Sequence, residues 1–573
     1  MKNKVFRYPI YLLGLMSLTA LTACMEETFP SSSATGDQVA KDPGALESIV
    51  NSLTNYTIST STYGGSTDYT DAGIPGFMIA RDRMCEDSPN TSTEWDWYRF
   101  IATGTGTGWG ANPYYYFYTF IDKTNDMLKV TDISSLNENG RHMVGNLYGF
   151  RAMCYMDLAR MYEFKPTGYS QLDDIATSDG ILGQTVPLVE ARDYTVAELI
   201  ANPRAPFYTM YRFIMTDLDM AEELLEGFQR SKVSLIDQNV IYGFKARMWL
   251  EMASRFDQNS EDLAKQLEAE GSDDGYNDLK ITSARECYQK AAMYAEKVIN
   301  GGFSPMTESE WHDPVNGFSK PTSSWVWGSY ITSTEERPSR WYAFHTWMNS
   351  DATWTWGGSY GLYQSIESNL FAKISDKDWR KRSWVDPADA GNESAVGKYG
   401  TNMAGSKFAN LPAYVNLKFH VPNLTEYDNG LVCSVPFMRV EEMYLLRAEA
   451  LYHTDGLGSA VSALESFVNT YRYTDGSYSC NASNYSDFIK ELMLQRRIEL
   501  WGEGLVYFDY KRLRLGINRA QPGTNYPDTY RLVTASGYVA PWMNCYISEY
   551  AVSMKDATFK GNPNFSGVAQ PVN

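Results

Sequence analysis

The densest run of side chains able to do chemistry is WYAFHTWMNSDATWTWGGSYGLY, residues 341–363. Trp341, Tyr342, Phe344, Trp347, Trp354, Trp356, Tyr360 and Tyr363 place eight aromatics there, in a chain that is 14% aromatic overall. The chemistry on offer is non-covalent. Flat apolar rings can lie against the C–H faces of pyranose sugars, while nearby amides and carboxylates, here Asn349, Ser350 and Asp351, take the hydroxyls. An earlier stretch, STEWDWYRFIATGTGTGWGANPYYYFY, adds Trp95, Trp97 and Trp109, with Asn112 as a hydrogen-bonding partner. Trp354 and Trp356, flanked by threonine and paired glycines, divide evenly between ligand contact and core. Burial is the ordinary fate of a tryptophan.

Covalent chemistry has little support. A hydrolase needs a positioned acid and base or an activated nucleophile. The five histidines, His142, His312, His345, His420 and His453, belong to no HExxH motif, no GxSxG elbow is present, and 69 acids allow chance carboxylate pairs. We assign no catalytic residue. GTGTGWG has the spacing of neither phosphate-binding glycine loop and reads as a turn. The acidic stretches DYTDAG and SDKDW do not match a calcium loop, and no CxxC pair suggests zinc, so no metal site or cofactor is assigned. A net charge of -19 argues against nucleic acid or an anionic membrane surface as partner. It leaves a neutral ligand, or one held by local features.

The elements that must position these residues are mainly helical. Leu147, Arg151, Cys154, Leu158 and Met161 share a helical face, as do Phe207, Tyr211, Ile214, Leu218, Ala221 and Leu225, with Gly227 closing the second helix. NVIYGFKARMWLEMASRF and ARECYQKAAMYAEKVINGGF form a couple whose small residues (Gly243, Ala246 and Ala253; Ala292 and Ala295) allow close contact. RVEEMYLLRAEALYHT and GSAVSALESFVNTYR repeat the arrangement. Such couples stack as tetratricopeptide-like hairpins. No 34-residue period links them, so the expected fold class is mainly α, irregular helix pairs with long loop-rich insertions near 85–118 and 303–431, where function is to be sought. Trp325 and Trp327 alternate as in an extended segment. Six cysteines, Cys85, Cys154, Cys287, Cys433, Cys480 and Cys545, are an even number that permits disulfides in an exported protein, but in so large a chain buried free thiols are the first expectation.

At the start, Lys2, Lys4 and Arg7 precede an uncharged apolar run, Ile10 to Ala23, too short for a mature transmembrane helix and laid out like a secretory signal. Leu21-Thr22-Ala23-Cys24 resembles a bacterial lipobox, which makes residues 1–23 a signal peptide and Cys24 the lipidated N-terminus. Residues 24–42 then form a flexible tether and 43–573 a single body. Glu26 and Glu27 resemble the surface-export signal of Bacteroidetes lipoproteins.

The C-terminal third carries a family likeness. PFMRVEEMYLLRAEALY, through Arg439, Glu442, Leu446, Ala448 and Glu449, resembles a helix of the SusD/RagB nutrient-binding lipoproteins. LQRRIELWGEGLVYFDYKRLRLG resembles a second signature of that family through Arg496, Arg497, Glu499, Leu500, Glu503, Gly504, Asp509 and Arg512. Gln495 stands where an acid is usual and Val506 where an arginine is common. The resemblance implies a non-enzymatic outer-membrane lipoprotein facing the cell exterior, seated on a SusC-like TonB-dependent barrel to which it passes oligomers. It also implies that binding aromatics come from the two insertions, which selects Trp341, Trp347, Trp354, Trp356 and Tyr360 together with Trp95, Trp97, Trp109 and Asn112. An oligosaccharide ligand fits these residues best; the RagB branch leaves a peptide open. The signature charges read as structural ion pairs.

Substituting Cys24→Ala is expected to abolish incorporation of labelled palmitate while the folded body persists. Undiminished labelling of the variant would remove the anchor.

Overall fold

The computed structural model describes residues 43–59, 73–89, 108–391, 398–401 and 409–572. Cys24, the tether, Trp95 and Trp97 lie outside them. The helices that build the frame are α1 (Pro43–Tyr56), α2 (Gly73–Met84), α3 (Gly108–Val130), α4 (Glu138–Tyr162), α5 (Phe207–Leu224), α6 (Gln238–Gln258), α7 (Ala284–Ile299), α8 (Val440–Asp455), α9 (Leu457–Tyr471), α10 (Tyr485–Glu499) and α11 (Val506–Leu513). Local signals set their starts. The side chains of Asn137, Asp237, Ser283 and Asn484 cap α4, α6, α7 and α10 by accepting from backbone N–H groups of the first turn.

The helices pack as pairs, α4 with α5, α6 with α7 and α8 with α9, and α8 also packs on α7 although about 140 residues separate them in sequence. The fold is mainly α with irregular hairpins, as the periodicity requires. Arg151 lies along its helical face as expected, and its guanidinium grips Asp217 of α5 at 2.8 and 2.7 Å. At the α6–α7 contact Ala291 is buried and Ala292 only partly so. Gly243 makes room for a different neighbour: a Cβ there would meet Met438 Sδ at 2.1 Å. The six cysteines outside the signal region are buried and free.

Among the described residues two strand pairs interrupt the helices: β1 (Gln184–Pro187) with β2 (Arg204–Pro206), and β3 (Trp325–Gly328) with β4 (Pro436–Arg439), both antiparallel. Trp325 and Trp327 do lie in an extended segment, but both are buried, because β3 is covered on both faces. The expected insertion at 85–118 ends sooner than composition suggested. From residue 108 the chain is helical despite Gly108, Gly110 and Pro113, and Phe117, Phe120, Ile121 and Thr124 supply a fully buried stripe at helical spacing.

The second insertion is fastened to the helices by buried charge. Arg380, Lys418, Arg439 and Arg472 meet Asp378, Glu441, Glu499 and Glu503, every side chain at most 2% exposed. Glu499 at the end of α10 receives Arg439 at 3.0 Å, Arg380 at 2.9 Å and Arg472 at 2.7 Å. Gln495, in place of the usual acid, accepts from Arg380 at 2.6 Å, so the position keeps its hydrogen bond without adding a fifth negative charge. The signature residues are structural throughout: Glu442 pairs with Arg247, Glu449 with Arg512, Asp509 with Arg496 and Asp87 with Arg497. Gly504 is required twice over, by φ +67° and by the Met78 backbone 2.4 Å from where a Cβ would stand.

Burial pushes the Glu499 carboxyl upward, but Arg472, Arg439 and Arg380 outweigh it and hold it well below its ordinary 4.5. Burial likewise draws Lys418 down to about 8, with Glu503 opposing. The depressed carboxyl contributes stability that is complete above the unfolded pKa near 4.5 and is lost as pH falls through the folded value. Glu499→Gln is therefore expected to cost about 3–5 kcal/mol at pH 7. In thermal melts, wild type should converge on the variant as pH falls below the ordinary carboxylate range. A constant difference down to pH 2 would contradict this account.

Candidate functional site

The aromatic run of residues 341–363 folds into short elements pinned against the core. Phe344–Met348 is a single helical turn with every side chain buried. Asn349 then turns the chain, its Oδ1 accepting from the backbone N–H of Asp351 and Ala352 at 3.1 and 2.9 Å. Asp351 accepts from Thr401 Oγ1 at 2.5 Å and from Asn349 Nδ2 at 3.1 Å. Asn349, Ser350 and Asp351, expected among the sugar-facing groups, are all buried, and Asn349 and Asp351 hold this turn. A second short helix, Trp356–Tyr360, starts with Thr355 Oγ1 accepting from Gly358 N and stops at Gly361, whose φ of 70° suits glycine.

These two turns stack four of the expected aromatics from interior to surface. Trp347 is 5% exposed and its ring centroid lies 5.1 Å from that of Trp356, itself 9% exposed. Trp356 lies 4.6 Å from half-buried Trp341 and 5.4 Å from Tyr360, which is 62% exposed. Trp356 Nε1 donates to the Trp341 carbonyl at 3.2 Å. The rings are tilted by 31–55° rather than parallel. Trp341 and Tyr360, centroids 6.0 Å apart, present the open face, and the two deeper tryptophans support it.

Trp354 turns the other way. It is 3% exposed, its Nε1 donates to the Asn423 carbonyl at 2.9 Å, and it packs so closely on Gly430 that a Cβ there would approach within 2.4 Å. It thus sits in a separate cluster with Ala352, Val421, Leu431 and Cys433. From the earlier insertion, Asn112 is buried in the first turns of α3, the Trp109 side chain lies outside the described residues, and Trp95 and Trp97 do too. The structure therefore joins Trp341, Trp347, Trp356 and Tyr360, and does not join Trp354 to them.

Two neighbours carry no aromatic-run signal of their own. The Arg340 guanidinium stacks 4.1 Å from the Trp341 centroid, and both Arg340 and Arg337 lie over Tyr427, at 5.1 and 5.2 Å. Arg340 directly precedes the aromatic run, and that adjacency is a signal in the sequence. Tyr427, 37% exposed and 86 residues away in sequence, has none. Behind the surface, burial draws His345 down to about 4, against the Phe318 carbonyl that its Nε2 meets, so the ring is neutral at pH 7.

A groove of about 820 Å³ opens elsewhere, lined among others by Glu86, Lys373, Met493, Arg497 and Leu515. None of the expected aromatics borders it. Stacking on sugar needs exposed rings rather than enclosed volume, and of the two places the aromatic surface is the one that offers them.

Residues 320–561 match the family model of the SusD family. No curated protein sequence matches the chain. Among solved structures, the chain is similar to a SusD-like carbohydrate binding protein from Bacteroides vulgatus ATCC 8482 (20% identity, TM-score 0.64, covering 90% of this chain and 98% of that one). It is similar to a SusD superfamily protein from Bacteroides thetaiotaomicron VPI-5482 (16% identity, TM-score 0.61, covering 91% and 99%). A third similar structure is surface glycan-binding protein A from Bacteroides thetaiotaomicron in complex with laminarihexaose (14% identity, TM-score 0.58, covering 91% and 99%).

Trp354→Ala is expected to cost about 3–5 kcal/mol of stability, whereas Tyr360→Ala should leave the melting temperature within a degree or two of wild type. Differential scanning calorimetry of the two variants checks this. A well-folded Trp354→Ala protein with an unchanged melting temperature would remove Trp354 from the core.

Proposed function

Because the chain is SusD-like in fold and carries a SusD-family segment over residues 320–561, we propose that it captures oligosaccharides and delivers them to a SusC-like TonB-dependent barrel. The observation that carries this reading is the aromatic stack, in which buried Trp347 and Trp356 hold half-buried Trp341 and exposed Tyr360 at the surface. A lone exposed tyrosine needs no explanation; one backed by three ordered tryptophans forms a rigid apolar plate, on which a sugar ring docks without first ordering the side chains. The likeness to a protein solved with laminarihexaose supports the same ligand class.

In this reading the protein binds and does not cut. The lipid on Cys24 fixes residues 43–573, one body, to the outer membrane facing outward, and residues 24–42 give it reach. Among the described residues no helix is long and apolar enough to cross a membrane, and attachment is assigned to the acyl chains, several of which hold a protein durably where one does not. Trp109, Trp95 and Trp97 complete the proposed platform from the earlier insertion, as the family resemblance implies, whereas Asn112, buried in α3, is not part of it.

Affinity gels loaded with a glycan panel test the reading. Retention by at least one glycan is expected, and Trp341→Ala or Tyr360→Ala should weaken it by about 1–3 kcal/mol without loss of fold. Purification from native membranes should recover a large β-barrel protein in near-equal amount. Unchanged affinity in both well-folded variants would move the platform elsewhere, and recovery of a solitary monomer in mild detergent would count against the barrel partner.

A further inference from the structure

The aromatic surface has a cation at its edge that no carboxylate among the described residues neutralises. Arg340 is half-buried against Trp341 and Tyr427. Its Nε and Nη2 both donate to the Trp354 carbonyl, at 3.1 and 2.9 Å, which fixes the plane of the guanidinium. Among the described residues no carboxylate lies within 4 Å of it, and its Nη1 makes no hydrogen bond. The neighbouring Arg337, over the same tyrosine, is by contrast paired with Asp428. Arg204 also lacks a carboxylate, but its Nε, Nη1 and Nη2 are all taken by carbonyl and amide oxygens. Arg337 also keeps an unbonded donor, its buried Nε, but Asp428 balances its charge; of these three, Arg340 alone combines an open donor with no carboxylate among the described residues, and it does so beside exposed rings.

A carbonyl satisfies geometry without supplying charge. A fixed guanidinium plane with a free donor edge matches the two-oxygen groups, carboxylate and sulfate, better than it matches a hydroxyl. The chain carries 69 acidic against 50 basic residues, so an internal acid would have been easy to supply. The net charge of -19 repels a polyanion at long range, but at physiological ionic strength the Debye length is about 8 Å and a contact pair escapes most of that screening.

We propose, building on the oligosaccharide reading above, that the site takes an anionic oligosaccharide: one sugar ring lies on Trp341 and Tyr360 while its carboxylate or sulfate group meets the open edge of Arg340. Stacking supplies the general affinity for sugar, and Arg340 selects the charged residue of the chain.

Titration calorimetry of full-length protein in a non-glycosidic detergent, at physiological ionic strength, tests this with three probes of equal length: laminarihexaose, a hexauronate and a sulfated laminarihexaose. At least one charged probe should bind about ten-fold or more tighter than the neutral one, consistent with a hydrogen bond to a charged group. Which of the two wins tells carboxylate from sulfate. Arg340→Gln should erase the preference, and Arg340→Lys, which keeps the charge but loses the fork, should restore part of it. Arg340→Lys alone carries the comparison if the glutamine variant does not fold. Equal or weaker binding of both charged probes overturns the charge selection and leaves the oligosaccharide reading standing, as does a preference that survives in folded Arg340→Gln. Failure of folded wild type to bind any of the three overturns the oligosaccharide reading and this inference with it.

Discussion

Four cations and four carboxylates, all buried, hold the second insertion in register on the helices. Taking such groups out of water costs several kcal/mol apiece, and only close, fully matched pairing offsets that cost. The matching here is complete in sign and dense in contact. Trp311 lies against it with Lys418, Arg439 and Arg472 at 4.7, 5.4 and 5.5 Å from its ring, and its own Nε1 is satisfied by Ser383 at 2.8 Å. An arrangement of this kind tolerates few alternatives. A shift of any contributing segment strands a charge in low dielectric, so the network specifies one docking of the insertion on the helices.

The constraint reaches the surface through the chain. Arg380 and Lys418 lie in the insertion, Arg439 ends β4, Arg472 follows α9, and Glu499 ends α10. With those points tied, the stretch between β3 and β4 cannot float, and its aromatic turns are pressed against Phe419 and Phe318 beneath them. Trp347 and Trp356 are then fixed by burial, and Trp341 and Tyr360 inherit their positions by stacking. Such a surface is preorganised for the binding proposed above: the ordering cost is met on folding, by core contacts, rather than on meeting a ligand. Trp354 helps from the opposite side, clamped on Gly430 and offering its carbonyl to Arg340.

The same fold occurs in structures at 13–20% identity, and a shared fold does not carry ligand specificity. Specificity has to be sought in residues such as Arg340, whose neighbours on this surface come from three separate segments of the chain.

Much of this architecture is written in local sequence. Helical periodicity in residues 144–161, 207–225, 240–256 and 440–454 is a local property of the chain, and so are the caps and the family signatures; the mainly α fold and the structural role of Arg439, Glu442, Arg496 and Glu499 follow from them. Residue type alone also marks 341–363 as exceptional. It could not divide core from surface there, because Trp354 and Trp356 stand in nearly the same context, Thr-Trp-Thr-Trp-Gly-Gly. Both are buried, but in different clusters, and the division was decided by partners 69 and 76 residues later and 15 residues earlier in the chain: Asn423 and Gly430 for one, Trp341 for the other. Composition similarly suggested a loop through 108–118, where the buried stripe of α3 made a helix. Side-chain type and spacing determine which elements form and what chemistry is available; which ring faces water, and which arginine goes without an acid, is a long-range packing outcome that exists only once the segments have docked.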